Sequence, residues 1–149
     1  MGAGTYTLEM TGKVESLQET NPTAPRQLYR TMAEAVDGYP TCGTGNTDLG
    51  VRAGPNPGDD VSPDAQGVIR PGGGMSTFVH PKYLPKFLRP ESLGGMSRLP
   101  VFWISEDSLS QFHCVTKKKH VQVEPFQSMS LQQFLQDLCD TRHLWRKCS

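Results

Sequence analysis

Val68-Ile69-Arg70-Pro71-Gly72-Gly73-Gly74-Met75-Ser76-Thr77-Phe78-Val79-His80-Pro81 sets the reading of this chain. A short apolar run meets an Arg-Pro break, three glycines follow, and two hydroxyls stand between Met and Phe. Glycine permits positive φ and close approach of another group, so such runs serve turns and ligand-contacting backbone alike. Taken alone, the run is a Gly-rich turn feeding a strand, the more frequent meaning of such glycines. Ser76 and Thr77, on a half-buried strand just past the loop, are placed to touch a bound molecule.

Strand signals lie on both sides. Gln27-Leu28-Tyr29-Arg30-Thr31-Met32 alternates and is rich in strand formers, a first core strand. Leu99 to Ile104 is the strongest buried strand, and Phe112 to Lys117 is another, leaving through a turn at Lys117-Lys118-Lys119. His120-Val121-Gln122-Val123-Glu124 alternates until Pro125 ends it. The valines take one face and His120, Gln122 and Glu124 the other. Residues 81–97 carry three prolines, so only short helical turns fit there, with Tyr83, Leu84, Phe87 and Leu88 as their apolar face. Ser105 is expected to cap a turn running to Leu109. A final helix is expected from about Leu131 to Trp145, opened by a Ser130–Gln133 capping box. Leu131, Phe134, Leu135, Leu138, Cys139 and Trp145 form its apolar stripe. Strands with short helices and one good C-terminal helix make the class α+β.

From Asp37 to Gln66 the chain is nearly all turn signal. Between Glu34 and Asp64, the acids Glu34, Asp37, Asp48, Asp59, Asp60 and Asp64 stand against Arg52 alone. A loop of that length inside a small domain is expected to be functional or mobile. Gly43-Thr44-Gly45 resembles a piece of a phosphate loop but lacks the lysine and helix that would follow, so it is read as a turn. Residues 5–10 can form a short strand or pairing arm, and residues 11–24 are linker-like. The expected organisation is an arm or linker over 1–24 and one domain over 25–149.

The 149 residues suffice for one domain that buries roughly 65–70% of its unfolded surface. Lys and Arg number 15 and Asp and Glu 15, so no net charge points to nucleic acid or a membrane surface. Cys42, Cys114, Cys139 and Cys148 have no zinc-knuckle spacing. With no secretory leader and no 18-residue apolar run, reduced thiols and a cytoplasmic location are expected. Tyr6 stands where a myristoylation signal needs Ser or Thr. His80 reads as a turn residue. His113 and Cys114 point to opposite faces of a strand, which breaks a dyad. Cys139 and His143 share a helix spacing but find no further ligands, so no metal is expected.

Three pieces stand out by type and order: Tyr29-Arg30 on an early strand, Ser76-Thr77-Phe78 on a middle one, Gln122-Val123-Glu124 on a late one. Each has an ordinary explanation as surface arginine, edge-strand hydroxyls or the solvated side of a strand. Their order resembles the pattern of the ADP-ribosyltransferase fold. Leu28-Tyr29-Arg30, Gly73 to Phe78, and Lys119 to Pro125 with Met129 beyond are similar to one branch of it. That branch is the small type VI secretion effector toxins with an ADP-ribosyltransferase-like fold, and their eukaryotic relatives. The resemblance runs from about Leu28 to Trp145.

It implies a compact split β-sheet core and NAD as substrate. Splitting nicotinamide from NAD passes through an oxocarbenium-like ribose, akin to glycoside chemistry. Glu124 would stabilise that charge and hold a ribose hydroxyl, and Gln122 would position the acceptor or the ribose. Arg30 would pair with a phosphate. Ser76 and Thr77 would brace the nicotinamide ribose or orient Glu124. Phe78 or Tyr83 would stack on the nicotinamide. Tyr29, Gly74 and His120 complete the expected contacts, with bare glycine backbone against the cofactor. The resemblance also implies an intracellular target macromolecule and a neutralising partner protein.

A different class of reading is a catalytically silent module that keeps the fold. It would dock a partner through Lys82, Lys86, Arg89, Arg98 and Lys117 to Lys119, a basic surface facing the acidic loop. Phosphotransfer from RNA to NAD ranks last, because the several arginines and histidines it needs have no matching spacing here.

Overall fold

Sheet formation follows the alternating segments closely. In a computed structural model, which describes residues 24–148, the elements are β1 (Gln27–Thr31), β2 (Val68–Ile69), β3 (Met75–Phe78), β4 (Val101–Ser105), β5 (His113–Lys117), β6 (His120–Glu124), β7 (Met129–Ser130), α1 (Leu131–Cys139) and β8 (Arg146–Lys147). The arm expected over residues 1–24 lies outside the described residues except for Ala24. Six strands form one antiparallel sheet in the order β5-β6-β3-β1-β4-β8, and β2 pairs with β7 as a separate ribbon. The described residues thus form a mixed α+β fold with an antiparallel sheet and one α-helix.

Strand periodicity divides the sheet into two faces. Cross-strand partners share a face, and the registers Tyr29↔Trp103, Ser76↔Gln122 and Phe78↔His120 put those residues on one side. The other side carries Leu28, Met32, Met75, Phe102, Ile104, Val121 and Val123. These join Leu49, Val51, Ile69, Phe134, Leu138 and Trp145 in a single core.

The long acidic segment is tied down by its own carboxylates. The Asp48 carboxylate accepts from the Thr41 hydroxyl and the Gly45 amide, and Asp59 accepts from the Asn56 amide. Asp60 holds both the backbone and the guanidinium of Arg52, while Asp64 accepts from the Gln66 and Val68 amides. Glu34 pairs with Lys147 and Asp37 with Arg142. Leu49, Val51 and Val61 then drop into the core between these staples. The acids of this loop are engaged locally or with Arg142 and Lys147, not in ion pairs with the basic segment.

Several other expectations are corrected. The helix stops at Cys139 rather than near Trp145. The Thr141 hydroxyl turns back to the Leu138 carbonyl at 2.7 Å, competing with the helical ladder. A 3-10 turn over Arg142–Leu144 then delivers Trp145 to the core, where its indole N–H donates to Thr141 Oγ1. Only half of the capping box forms: Ser130 accepts from the Gln133 amide, but the Gln133 side chain bonds Asp137. Ser105 stands at the cap position of the 3-10 turn Glu106–Leu109 without capping it, because its hydroxyl goes to Asp107. Of the apolar face expected in residues 81–97, Leu84 is buried while Tyr83 and Phe87 are exposed. Cys42 and Cys139 form a disulfide across 97 residues, so the expectation of reduced thiols is wrong for that pair. Cys114 and Cys148 are free. Among the described residues, no helix is long and apolar enough to cross a membrane.

Candidate functional site

The sequence motifs arrive on three adjacent strands, β1, β3 and β6. β3 and β6 pair along their whole length, from Met75↔Val123 to Phe78↔His120. β1 meets β3 only at Tyr29↔Phe78. Beyond that rung the strands part, and the opening holds a cleft of about 130 Å³ lined by Arg30, Asn46, Arg52, Asp60, Ser76 and Phe78, with Pro85, Phe87 and Leu88 across it. The segment carrying Leu88 is fastened to β1 by a 2.5 Å bond from the Thr31 hydroxyl to the Leu88 carbonyl. Ligand pockets commonly enclose about 300–1,000 Å³, so this cleft has room for no more than a small group such as a single ring.

Arg30 sits on the core face, between Leu28 and Met32, and is only 7% exposed. Its guanidinium bridges the opening. Nη1 donates to the Ser76 carbonyl at 2.9 Å, Nη2 to the Asp48 carbonyl at 2.7 Å and the Asn46 carbonyl at 3.5 Å, and Nε to the Asp48 carbonyl at 3.1 Å. Burial holds its pKa down to about 10, against the favourable charges of Asp60 and Asp48. Of five N–H donors, one is left without a protein acceptor. The expected role as a phosphate clamp is therefore restricted: Arg30 chiefly braces β1, β3 and the 46–48 loop.

The two hydroxyls separate. Ser76 faces the cleft and its Oγ lies 3.0 Å from His120 Nε2. Burial, with the charge of Lys117, lowers the pKa of His120, with Asp60 acting in the opposite sense. The imidazole therefore favours its neutral form. Thr77 is 0% exposed on the core face and donates to the Val121 carbonyl at 2.7 Å. Thr77 does not reach the cleft, which corrects its placement as a ligand contact.

Gln122 pairs directly with Ser76 across the strands and reaches along its own strand to Glu124 Oε2 at 2.7 Å. Glu124 is 4% exposed, and its Oε1 accepts from the Gly72 amide at 2.8 Å. The positive φ of Gly72, +122°, turns that amide toward the carboxylate. Gly74 has a different duty. A Cβ there would collide with the Val123 carbonyl and stand 3.0 Å from Glu124 Cα, so its bareness lets β3 close on β6. The expectation that Gly74 presents bare backbone to a cofactor is corrected, since the protein's own chain fills that space.

The aromatic residues form a rim at the other end of β3. Phe78 meets the His120 ring edge-on at 5.1 Å between centroids. Tyr29 lies 6.1 Å from His80, and its hydroxyl donates to Gln27. His80 accepts from the Lys82 amide, which bears out its reading as a turn residue. Tyr83 stands 6.4 Å from His80, with Lys82 and Lys119 over its ring. Burial pushes the Cys114 thiol up to about 11, which leaves it poorly suited as a nucleophile.

Sequence reasoning missed Asn46, Arg52 and Asp60 as cleft residues. Their turn signals were visible, but nothing local says that the loop folds back against Arg30. No group of three or more His, Cys, Asp or Glu among the described residues is placed to hold a metal. Comparison with family models, characterised proteins and solved structures finds no match, so the site stands on its own geometry.

Proposed function

We propose that the cleft between β1 and β3 binds NAD and that the protein is an ADP-ribosyltransferase-like enzyme, acting as an effector-type toxin on an intracellular target. The observation that carries this reading is the placing of Arg30, Ser76 and Gln122–Glu124 on three neighbouring strands, with Arg30 and Ser76 lining the opening between β1 and β3 and Gln122 and Glu124 on the far side of β3 from it. Phe78 would cover the nicotinamide and Ser76 its ribose. Cleavage breaks the bond from ribose C1′ to the nicotinamide nitrogen, and nicotinamide leaves as a neutral base. Glu124, held by Gly72 and Gln122, would stabilise the positive ribose until the acceptor attacks C1′. Arg30 would keep the cleft open by bracing its walls.

Glu124→Gln tests this. The replacement keeps an acceptor for the Gly72 amide, but the Gln122 amide also donates to the Gly72 carbonyl at 3.2 Å and cannot turn over without losing that bond, so the expected stability change is about 1–2 kcal/mol. Nicotinamide release should fall at least about a hundredfold. Undiminished release by the variant, or no NAD binding and no turnover by the wild type supplied with cell extract as acceptor, would overturn the proposal.

One observation favours a second reading, a docking module. Phe87 at 58% and Met96 at 65% exposure stand among Lys82, Lys86, Arg89 and Arg98. In that case Lys86→Glu and Arg98→Glu abolish the phenotype while Glu124→Gln leaves it intact.

A further inference from the structure

The cleft has two arginines on its wall, and both have most of their N–H donors committed within the protein. Arg30 points its guanidinium at backbone carbonyls, and Arg52 is held by the Asp60 carboxylate through both Nε and Nη2. An anionic ligand entering here finds few free donors on these two guanidinium groups. At the end of β3, one residue beyond the Phe78↔His120 rung, two ammonium groups converge on a single aromatic ring. Lys82 Nζ is 5.2 Å and Lys119 Nζ 5.4 Å from the Tyr83 centroid.

Both lysines are pinned at the main chain. The Lys82 amide donates to His80 Nδ1 at 3.1 Å, and the Lys119 carbonyl accepts from the Val79 amide at 3.1 Å. Lys119 is aimed by its neighbour Lys118, whose φ of +61° is the only positive value among described residues other than glycine. Among the described residues neither lysine has a carboxylate partner within ion-pair distance. Two like charges held near one ring repel each other, and an anion that both ammonium groups reach would turn that repulsion into attraction.

We infer that Lys82 and Lys119, on the Tyr83 platform, form the subsite for the pyrophosphate group of the ligand. This deepens the NAD reading and rests on it for the identity of the ligand, though the anion site itself is tested without NAD. A pyrophosphate there lets the nicotinamide end reach back past Phe78 toward Ser76 and places the rest of the dinucleotide outside the small cleft. Arg30 then acts as a brace within the protein.

The test is calorimetric titration of the whole chain with inorganic pyrophosphate at about 0.15 M salt, where surface charge is screened beyond roughly 8 Å. Wild type should bind saturably, Lys82→Ala/Lys119→Ala should weaken binding at least about tenfold, and Lys147→Ala, at the far edge strand, should leave it unchanged. Amide chemical shifts should move at Lys119 and Lys82 on titration. Absent saturable binding in wild type, equal weakening by Lys147→Ala, or unaltered binding in the double variant overturns the inference. NAD turnover separates the two proposals. Pyrophosphate binding that depends on the lysines without any turnover keeps the subsite and removes the enzyme. Turnover with an unchanged KM in the double variant keeps the enzyme and removes the subsite.

Discussion

Replacing Cys42 and Cys139 by serine removes a cross-link that closes 97 residues of sequence. In the chain-entropy treatment, a loop of about 100 residues gives up roughly 4.7 kcal/mol of denatured-state freedom, and measured losses commonly fall at about 2–4 kcal/mol. A value well below the full chain-entropy figure applies here, because Leu49 and Val51 are fully buried beside the bridge and hold the segment independently. A loss of about 3 kcal/mol should lower Tm by on the order of 10 °C for a domain of this size. The effect should also be local. Gly43 and Leu49 donate their amides to Leu49 and Thr41 carbonyls, and the Asn46 and Asp48 carbonyls of the same loop receive Arg30. Freed from α1, this loop should exchange its Gly43, Asp48 and Leu49 amides faster than in wild type, and faster than the β3 and β6 amides change. Thermal and urea unfolding of both proteins, with amide exchange on each, measures all of this. A loss under about 1 kcal/mol, or unchanged exchange over residues 43–49, refutes the argument that the bridge holds the Arg30 acceptors in place.

Gly74→Ala should cost about 3 kcal/mol or more by forcing backbone apart between β3 and β6, whereas Gly58→Ala, with open space around it, should cost under about 1 kcal/mol; equal effects in denaturant titration would contradict the close-approach argument. His120 has a folded pKa below its ordinary 6.5 because it is partly buried and sits near Lys117, with Asp60 opposing. Its contribution to stability is thus fully present above the ordinary value and is lost as pH falls through the folded one. Unfolding curves from about pH 7.5 to 5.5 should fall more steeply for wild type than for His120→Gln, and parallel curves would dispose of the idea. Lys118→Gly should stabilise by about 1 kcal/mol, because its positive φ suits glycine at the first position of a two-residue hairpin turn; a neutral or negative change in Tm would show that the turn carries no such strain.

The period of two was the most informative signal in the chain. It separated the valines of β6 from His120, Gln122 and Glu124, and those three share a face as expected. The same period, applied to Leu28-Tyr29-Arg30-Thr31-Met32, puts Arg30 with Leu28 and Met32 on the core side, and in Met75-Ser76-Thr77-Phe78 it puts Thr77 with Met75. That period by itself turns both side chains toward the core, whereas the resemblance in motif order implies ligand contact for them. The end of α1 was harder to see, because Trp145 keeps the helical spacing of the stripe while Thr141 breaks the ladder that would carry it there.

The sequence by itself determined the α+β class, the main strands and their facing, the start of α1 at Ser130, and the turn character of the glycines and His80. These follow from local preferences and periodicity, which need no knowledge of distant residues. Only the tertiary structure decided that β1, β3 and β6 are neighbours, that β1 and β3 part beyond one rung, that Cys42 meets Cys139, and that both cleft arginines are already engaged. Those facts depend on which groups separated by tens of residues compete for the same donors and the same space, and that competition is settled only when the chain closes on itself.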